Sequence, residues 1–307
     1  MYSSRIAWRN CARSWTSCNN TAEFCETGVV RRCFAIVLLL LSGDLAVPRA
    51  LAATDEAAQH ALIDAVVAGF SAEASDDPRV FFLGFAGYGE ERVFAEEIKL
   101  AATRVGEKFG SARRSLLLIN DRRDLETLPL ATHANLRYAL GSLRRLMDPE
   151  RDVLFLALSS HGAKNAMIEV SNTGMEPTGL SAQGLVKMLA ESGIRRKIIV
   201  VSACFSGAFV EPLADDDTIV ISAASKNRPS FGCSDDRHLT YFGEAFYRDA
   251  LPHAASLRAA FDVARREIRV REKELGVKAS QPQAHFGPLA ESSLAEVEAT
   301  RSLDDTR

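Results

Sequence analysis

What this chain lacks narrows its function first. It has no charge excess, with 37 Lys and Arg against 40 Asp and Glu over 307 residues, a net −3 at pH 7. Residues 1–52 hold six Arg and three acidic residues, so the remainder carries 31 basic and 37 acidic residues, a balance of −6. That excludes the basic footprint of a nucleic-acid binder or a protein held on anionic lipid. No apolar run approaches the roughly 20 residues that span a bilayer. The most apolar one, residues 34–41, has eight, and no stable membrane anchor is expected. Cysteine is scarce: Cys11, Cys18, Cys25 and Cys33 precede residue 53, leaving Cys204 and Cys233. Two thiols make no disulfide framework, although a single bridge between them stays open. His133, His238 and His285 have no Cys or His at ligand spacing, so neither metal nor cofactor is assigned. Gly87-x-Gly89 has no third glycine in register and is not a dinucleotide fingerprint. No internal repeat occurs.

The N-terminal region reads as processed rather than folded. Arg31-Arg32-Cys33 leads into the apolar stretch 34–41, and Ala50-Leu51-Ala52 follows as a small-x-small site. A positive flank, a short apolar core and such a site make a secretory signal peptide over residues 29–52, cut before Ala53. The protein is thus expected to be exported, periplasmic or secreted. Residues 1–28 have no periodicity and sit upstream of the signal, which suggests a misassigned translation start near Val29. Residues 53–307 are then expected to form a single domain with a polar, frayed tail from about residue 289.

What is present centres on residues 153–210. Two short apolar runs, 153–158 and 197–201, lead into Ser159-Ser160-His161-Gly162 and Ser202-Ala203-Cys204-Phe205-Ser206-Gly207. Neither alternates with polar residues, which suits strands buried on both faces of a parallel sheet. Residues 180–193 between them are long enough for a crossover helix. His161 and Cys204 would then leave the same carboxyl edge, where open α/β sheets place their sites. A thiol and an imidazole at one edge are the parts of a nucleophile–base pair.

The rest alternates strand and helix. A helix is expected over 57–70, a strand over 80–85, and a helix along Phe94, Ile98, Ala102, Val105 and Phe109. A strand over 115–120 follows, then a helix capped by Thr132 and ended by Pro149. Residues 218–222 read as a fifth strand, with helices over 241–251 and through Leu257, Phe261, Ala264, Ile268 and Leu275. This order argues for an α/β fold with a parallel sheet covered on both faces.

Strand–Ser–His–Gly followed by strand–Ala–Cys–x–Ser–Gly resembles the legumain-like (asparaginyl endopeptidase) family, closest to its bacterial members, in the clan that holds caspases and gingipains. The likeness runs from Phe81 to about Gly287, with the His 43 positions before the Cys. It implies a caspase-like fold with a mostly parallel central sheet and helices on both faces. It also implies a cysteine endopeptidase acting on peptides or proteins through a thioester, with Asn or Asp before the scissile bond. Carried over by position, Cys204 is the nucleophile and His161 handles the proton, and the N–H groups of Gly162 and Cys204 form the oxyanion hole.

The departures from the family pattern are specific. The family's Asp before the His and Glu two before the Cys are here Ser160 and Ser202. Matching Arg92-Val93-Phe94-Ala95-Glu96 to the family's Arg-His-Gln-Ala-Asp run puts Glu90 where an Asn orients the His. It also puts Arg92 at a specificity-pocket Arg. Residues 230–236 resemble the pocket-forming loop, which makes Ser230 and Asp235 candidates for substrate contact. Two other readings stay open on the same site: a transpeptidase or acyl transferase, and a peptide-binding protein without turnover. The sequence does not specify an oligomeric state.

Overall fold

The apolar runs become strands covered on both faces. In β3 (Val153–Ser159) every residue is buried, and side-chain parity divides the strand between two cores. Val153, Phe155 and Ala157 enter one core, while Leu154, Leu156 and Leu158 enter the other. The same division holds in β7 (Arg196–Ser202), with Ile198 and Val200 on one side and Ile199 and Val201 on the other. The computed structural model describes residues 55–70, 77–125, 127–172, 174–234 and 236–304. These lie within one compact unit, Ala46–Arg307. The expected N-terminal extension, the signal peptide with its cleavage site, and Asp235 lie outside the described residues.

The main sheet has six strands in the order β2-β1-β3-β7-β8-β9, where β1 is Val80–Ala86, β2 Ser115–Ile119, β8 Thr218–Ser222 and β9 Gln283–Phe286. The first five are parallel, and β9 closes the edge antiparallel to β8. On one face lie α1 (Glu56–Ala68), α3 (His133–Leu146), α4 (Ala182–Ser192) and the single turn α5 (Val210–Leu213). On the other lie α2 (Arg92–Phe109), α6 (Tyr241–Ala250, in which Glu244–Ala250 is π-helical), α7 (Leu257–Glu274) and α8 (Pro288–Asp304). This is the mixed, mostly parallel α/β sheet of a caspase-like fold. Local chemistry sets the helix ends. Thr132 caps α3 by accepting from Asn135 N at 3.1 Å, and Ser181 caps α4 by accepting from Gly184 N at 3.0 Å. Gly193, at φ +69°, ends α4 in the left-handed conformation that only glycine adopts without strain.

Two features depart from expectation. Residues 162–181 form a small antiparallel sheet, β4 (Gly162–Ala163), β5 (Met167–Val170) and β6 (Thr178–Ser181), and the crossover helix follows it within the 180–193 stretch. Strands of two to four residues are too short for a readable alternation, even in β5, where Ile168 and Val170 are buried and Met167 and Glu169 are not. The segment expected to be a frayed tail is instead α8, which buries Ala290, Leu294 and Val297 against the α2 side of the sheet. One narrow stripe is enough to dock a helix whose other positions are polar.

Candidate active site

The register of β3 against β7 decides where the reactive groups emerge. Ser159 lies opposite Ser202, and Ser160 N donates to Ser202 O at 3.2 Å, so the pairing continues past the last strand residue. His161 and Cys204 are each two residues beyond that pair. Both line one small cleft at the carboxyl edge, walled by Phe94 and Phe231 and bordered by Ser202, Ser230, Cys233 and Thr240. From there the chains diverge. After His161 the backbone enters the small sheet, with Glu169 N donating to His161 O at 2.9 Å. After Cys204 it turns at Phe205, whose φ of +58° lies in the left-handed region. Such a conformation costs a non-glycine residue about 1–3 kcal/mol and is commonest at functional turns. Phe205 N donates to Arg228 O at 2.8 Å, which ties the turn to the loop after β8.

The two chains touch at Gly162. A Cβ there would run into the carbonyl oxygen of Cys204 and lie 2.9 Å from its carbonyl carbon and 3.1 Å from Ala203 Cβ. Only a residue without a side chain lets the His161 turn lie this close to the Cys204 main chain.

Each reactive group has a fixed setting. The imidazole of His161 lies edge-to-face against Tyr88 at 4.7 Å and Phe94 at 4.9 Å between ring centroids. Its Nε2 is 3.0 Å from Glu91 Oε2, with the two side chains 23% and 24% exposed. Glu91 Oε2 is buried and accepts no hydrogen bond, so this is an ion-pair approach rather than an aligned hydrogen bond. Cys204 Sγ is bracketed by one residue of the loop after β8. Ser230 N donates to the sulfur at 3.3 Å, and the sulfur faces Ser230 O at 3.4 Å. Cys204 and Cys233 are both half-buried thiols and form no disulfide.

Beneath the cleft lies a fully buried carboxyl, Glu97 of α2. Ser159 Oγ donates to Glu97 Oε1 at 3.2 Å, and Thr240 Oγ1 bonds Glu97 Oε2. Thr240 Oγ1 also accepts from Gly243 N at 2.9 Å and lies 3.3 Å from Ser202 Oγ. Burial raises the pKa of Glu97 above its ordinary 4.5, and the surrounding hydroxyls only partly oppose this. Tyr247 beside it is pushed well above 10 by burial and then by the Glu97 charge.

The residues singled out in the sequence are distributed unevenly. His161, Gly162, Cys204 and Ser230 converge on the cleft edge. Arg92 opens α2, is 54% exposed, pairs with Glu96 at 3.7 Å, and is not among the residues lining the cleft. Phe94, two positions on, is the α2 side chain that lines it. The carboxylate placed against the imidazole is Glu91, the neighbour of Glu90, which is exposed. Two adjacent glutamates at a helix start look alike in sequence, and only the backbone entering α2 separates them. Glu97 carried a readable signal: it stands next to Ile98 on the inward stripe of an amphipathic helix. Phe205 and Thr240 carried none. His133 and His285, outside the cleft, bond backbone carbonyls, Gly179 O at 3.2 Å and Asp215 O at 2.9 Å.

Comparison with known proteins adds one match. A model of the Peptidase C13 family matches residues 130–291. That span contains His161, Cys204 and Ser230 but not Glu91, Arg92 or Glu97. A search of curated proteins found no match.

Proposed function

The chain belongs to the Peptidase C13 family and is a cysteine peptidase acting on protein substrates, and from that premise we propose that Cys204 is its nucleophile and His161 its proton carrier. The single observation behind this assignment is their emergence from register-matched strand ends into one cleft. In the proposed reaction Cys204 Sγ attacks the scissile carbonyl, and the oxyanion is held by the N–H groups of Gly162 and Cys204. Loss of one such donor typically costs about 10² to 10³ in rate. With Nε2 turned toward Glu91, Nδ1 of His161 is the nitrogen assigned to proton exchange, and it delivers a proton to the leaving amine. Water then opens the thioester and regenerates the thiol. Ser230 N–H donates to the sulfur and Ser230 O accepts the thiol hydrogen, so this loop fixes the direction of Sγ.

For the residue before the scissile bond, the proposal is a small polar side chain, Asn ahead of Asp. Ser202 and Thr240 offer hydroxyls at the cleft, while Arg92, the cation expected to pair with a carboxylate, is not in its lining. Residues 29–52 support export, with cleavage before Ala53 as the proposed processing step. Among the described residues no helix is long and apolar enough to cross a membrane.

A peptidyl electrophile tests the core of this. It is expected to form an adduct on Cys204 that disappears in Cys204→Ala and is slowed in His161→Ala. Hydrolysis that persists in Cys204→Ala would end the assignment.

A further inference from the structure

Proton counting in the cleft floor shows two hydrogen-bond arrangements that fit the same atoms. Glu97, Thr240 and Ser202 form one cluster: Thr240 Oγ1 joins the Glu97 carboxyl to Ser202 Oγ, the Ser202 hydroxyl also bonds that carboxyl directly, and Ser202 and Thr240 border the cleft beside Cys204. One hydroxyl carries one hydrogen and accepts through two lone pairs. Thr240 Oγ1 already accepts from Gly243 N at 2.9 Å, which leaves it one further bond to accept and one to donate. When Glu97 is protonated, its O–H donates to Thr240, Thr240 donates to Ser202 Oγ, and the Ser202 hydrogen turns to the cleft. When Glu97 is ionised, Thr240 donates to the carboxylate and Ser202 turns its hydrogen inward, to the carboxylate or to Thr240, and shows the cleft its lone pairs. Ser159 Oγ donates to Glu97 Oε1 in both arrangements. Heavy atoms need not move.

We propose that Glu97 is a specificity-determining residue: its proton decides whether Ser202 offers the bound substrate a hydrogen-bond donor or an acceptor. The inference deepens the peptidase reading above and rests on it. With Glu97 neutral, the cleft favours an uncharged side chain carrying an acceptor atom beside the scissile bond; with Glu97 ionised, that preference is lost. Burial of Glu97 holds its proton into a higher pH range than an exposed carboxyl would keep it. No ion pair to Glu97 occurs among the described residues. The titratable groups around it are Tyr247 and Glu244 on α6, the latter paired with Arg237, Arg248 and Arg271. His161 with Glu91, Cys204 and Cys233 lie at the cleft above.

A substrate pair that cannot titrate isolates the effect. Two peptides differ only in the residue before the scissile bond, O-methylserine in one and norvaline in the other. These side chains match in shape and are neutral at every pH, but only the first has an acceptor. The ratio of their kcat/KM values cancels ionisation of the thiol and the imidazole. In the wild type the ratio should be about fivefold in favour of O-methylserine at acid pH, the size of one neutral hydrogen bond, and fall toward unity as pH rises. Glu97→Gln, which cannot ionise, should hold the ratio constant with pH. Ser202→Ala should bring it near unity throughout, which tests the relay even if the first variant folds poorly. Cleavage with a wild-type ratio that ignores pH, or a Glu97→Gln ratio that titrates like wild type, overturns the inference alone. Failure to cleave either peptide, together with no electrophile adduct on Cys204, overturns the peptidase assignment and this inference with it.

Discussion

Adding one methyl group at Gly162 gives the most direct test of how the two reactive strand ends are held. In Gly162→Ala the new Cβ would overlap the Cys204 carbonyl oxygen, with the carbonyl carbon at 2.9 Å and Ala203 Cβ at 3.1 Å. The obstructing atoms are mostly main chain, so no side chain can rotate away, and relief requires the two turns to separate. Reaching ordinary van der Waals contact takes a displacement on the order of 1 Å, and a misplacement of that size at reacting groups costs about 10²-fold in rate. Overpacking of this kind destabilises by about 2 kcal/mol, a fall in Tm of about 4–8 °C for a chain of this size. Three measurements belong together: kcat/KM on a cleaved peptide, the alkylation rate of Cys204 by iodoacetamide, and thermal unfolding. The expected result is a folded protein in which Cys204 is still alkylated, though more slowly, and kcat/KM is about 10² lower, because the thiol survives while its partner and the proposed oxyanion N–H are displaced. A stably folded Gly162→Ala with wild-type kcat/KM would refute the close approach on which the site geometry rests.

Three other outcomes follow from named contacts. Glu91→Gln should lower kcat by between about tenfold and about 10²-fold while leaving iodoacetamide alkylation nearly unchanged, because it removes the charge beside Nε2 and not the thiol. An unchanged kcat would remove Glu91 from the site. Leu294→Ala should destabilise by about 2–4 kcal/mol in denaturant unfolding, since Leu294 is 4% exposed in the core under α8. A loss below about 0.5 kcal/mol would mean the helix is not docked. Burial raises the Glu97 pKa, so the folded protein binds that proton more tightly than the unfolded chain does. Its stabilising contribution is whole below the ordinary value of 4.5 and is lost as pH rises through the raised value. The stability of wild type relative to Glu97→Gln should therefore fall as pH rises above 4.5, and a pH-independent difference between them would contradict a raised pKa.

The sheet was legible because burial on both faces leaves a plain mark. Runs such as 153–158 and 197–201, apolar without alternation and separated by a crossover length, suit parallel neighbours. From that alone, His161 and Cys204 were placed at a common edge, where the structure has them. Capping was equally local: Thr132 bonds Asn135 N three residues away, so its role needed no distant partner. The small sheet over 162–181 was not legible, because its pairing lies in backbone hydrogen bonds between segments of two to four residues, too short for a side-chain pattern to stand out. Nor was α8, whose Ala290, Leu294 and Val297 matter only once there is a sheet face for them to cover.

The division at the site follows the same physics. Residue type and distance along the chain determined which groups could react, since the order of strand, helix and strand sets where a strand end emerges. Everything finer depended on side chains from elements far apart in sequence meeting in three dimensions. Glu91 rather than Glu90 faces the imidazole, Phe94 rather than Arg92 lines the cleft, and Glu97 meets Thr240 from 143 positions away. Hydrogen bonds and ion pairs are set within a few tenths of an ångström, and a sequence fixes positions that finely only after the whole chain has packed.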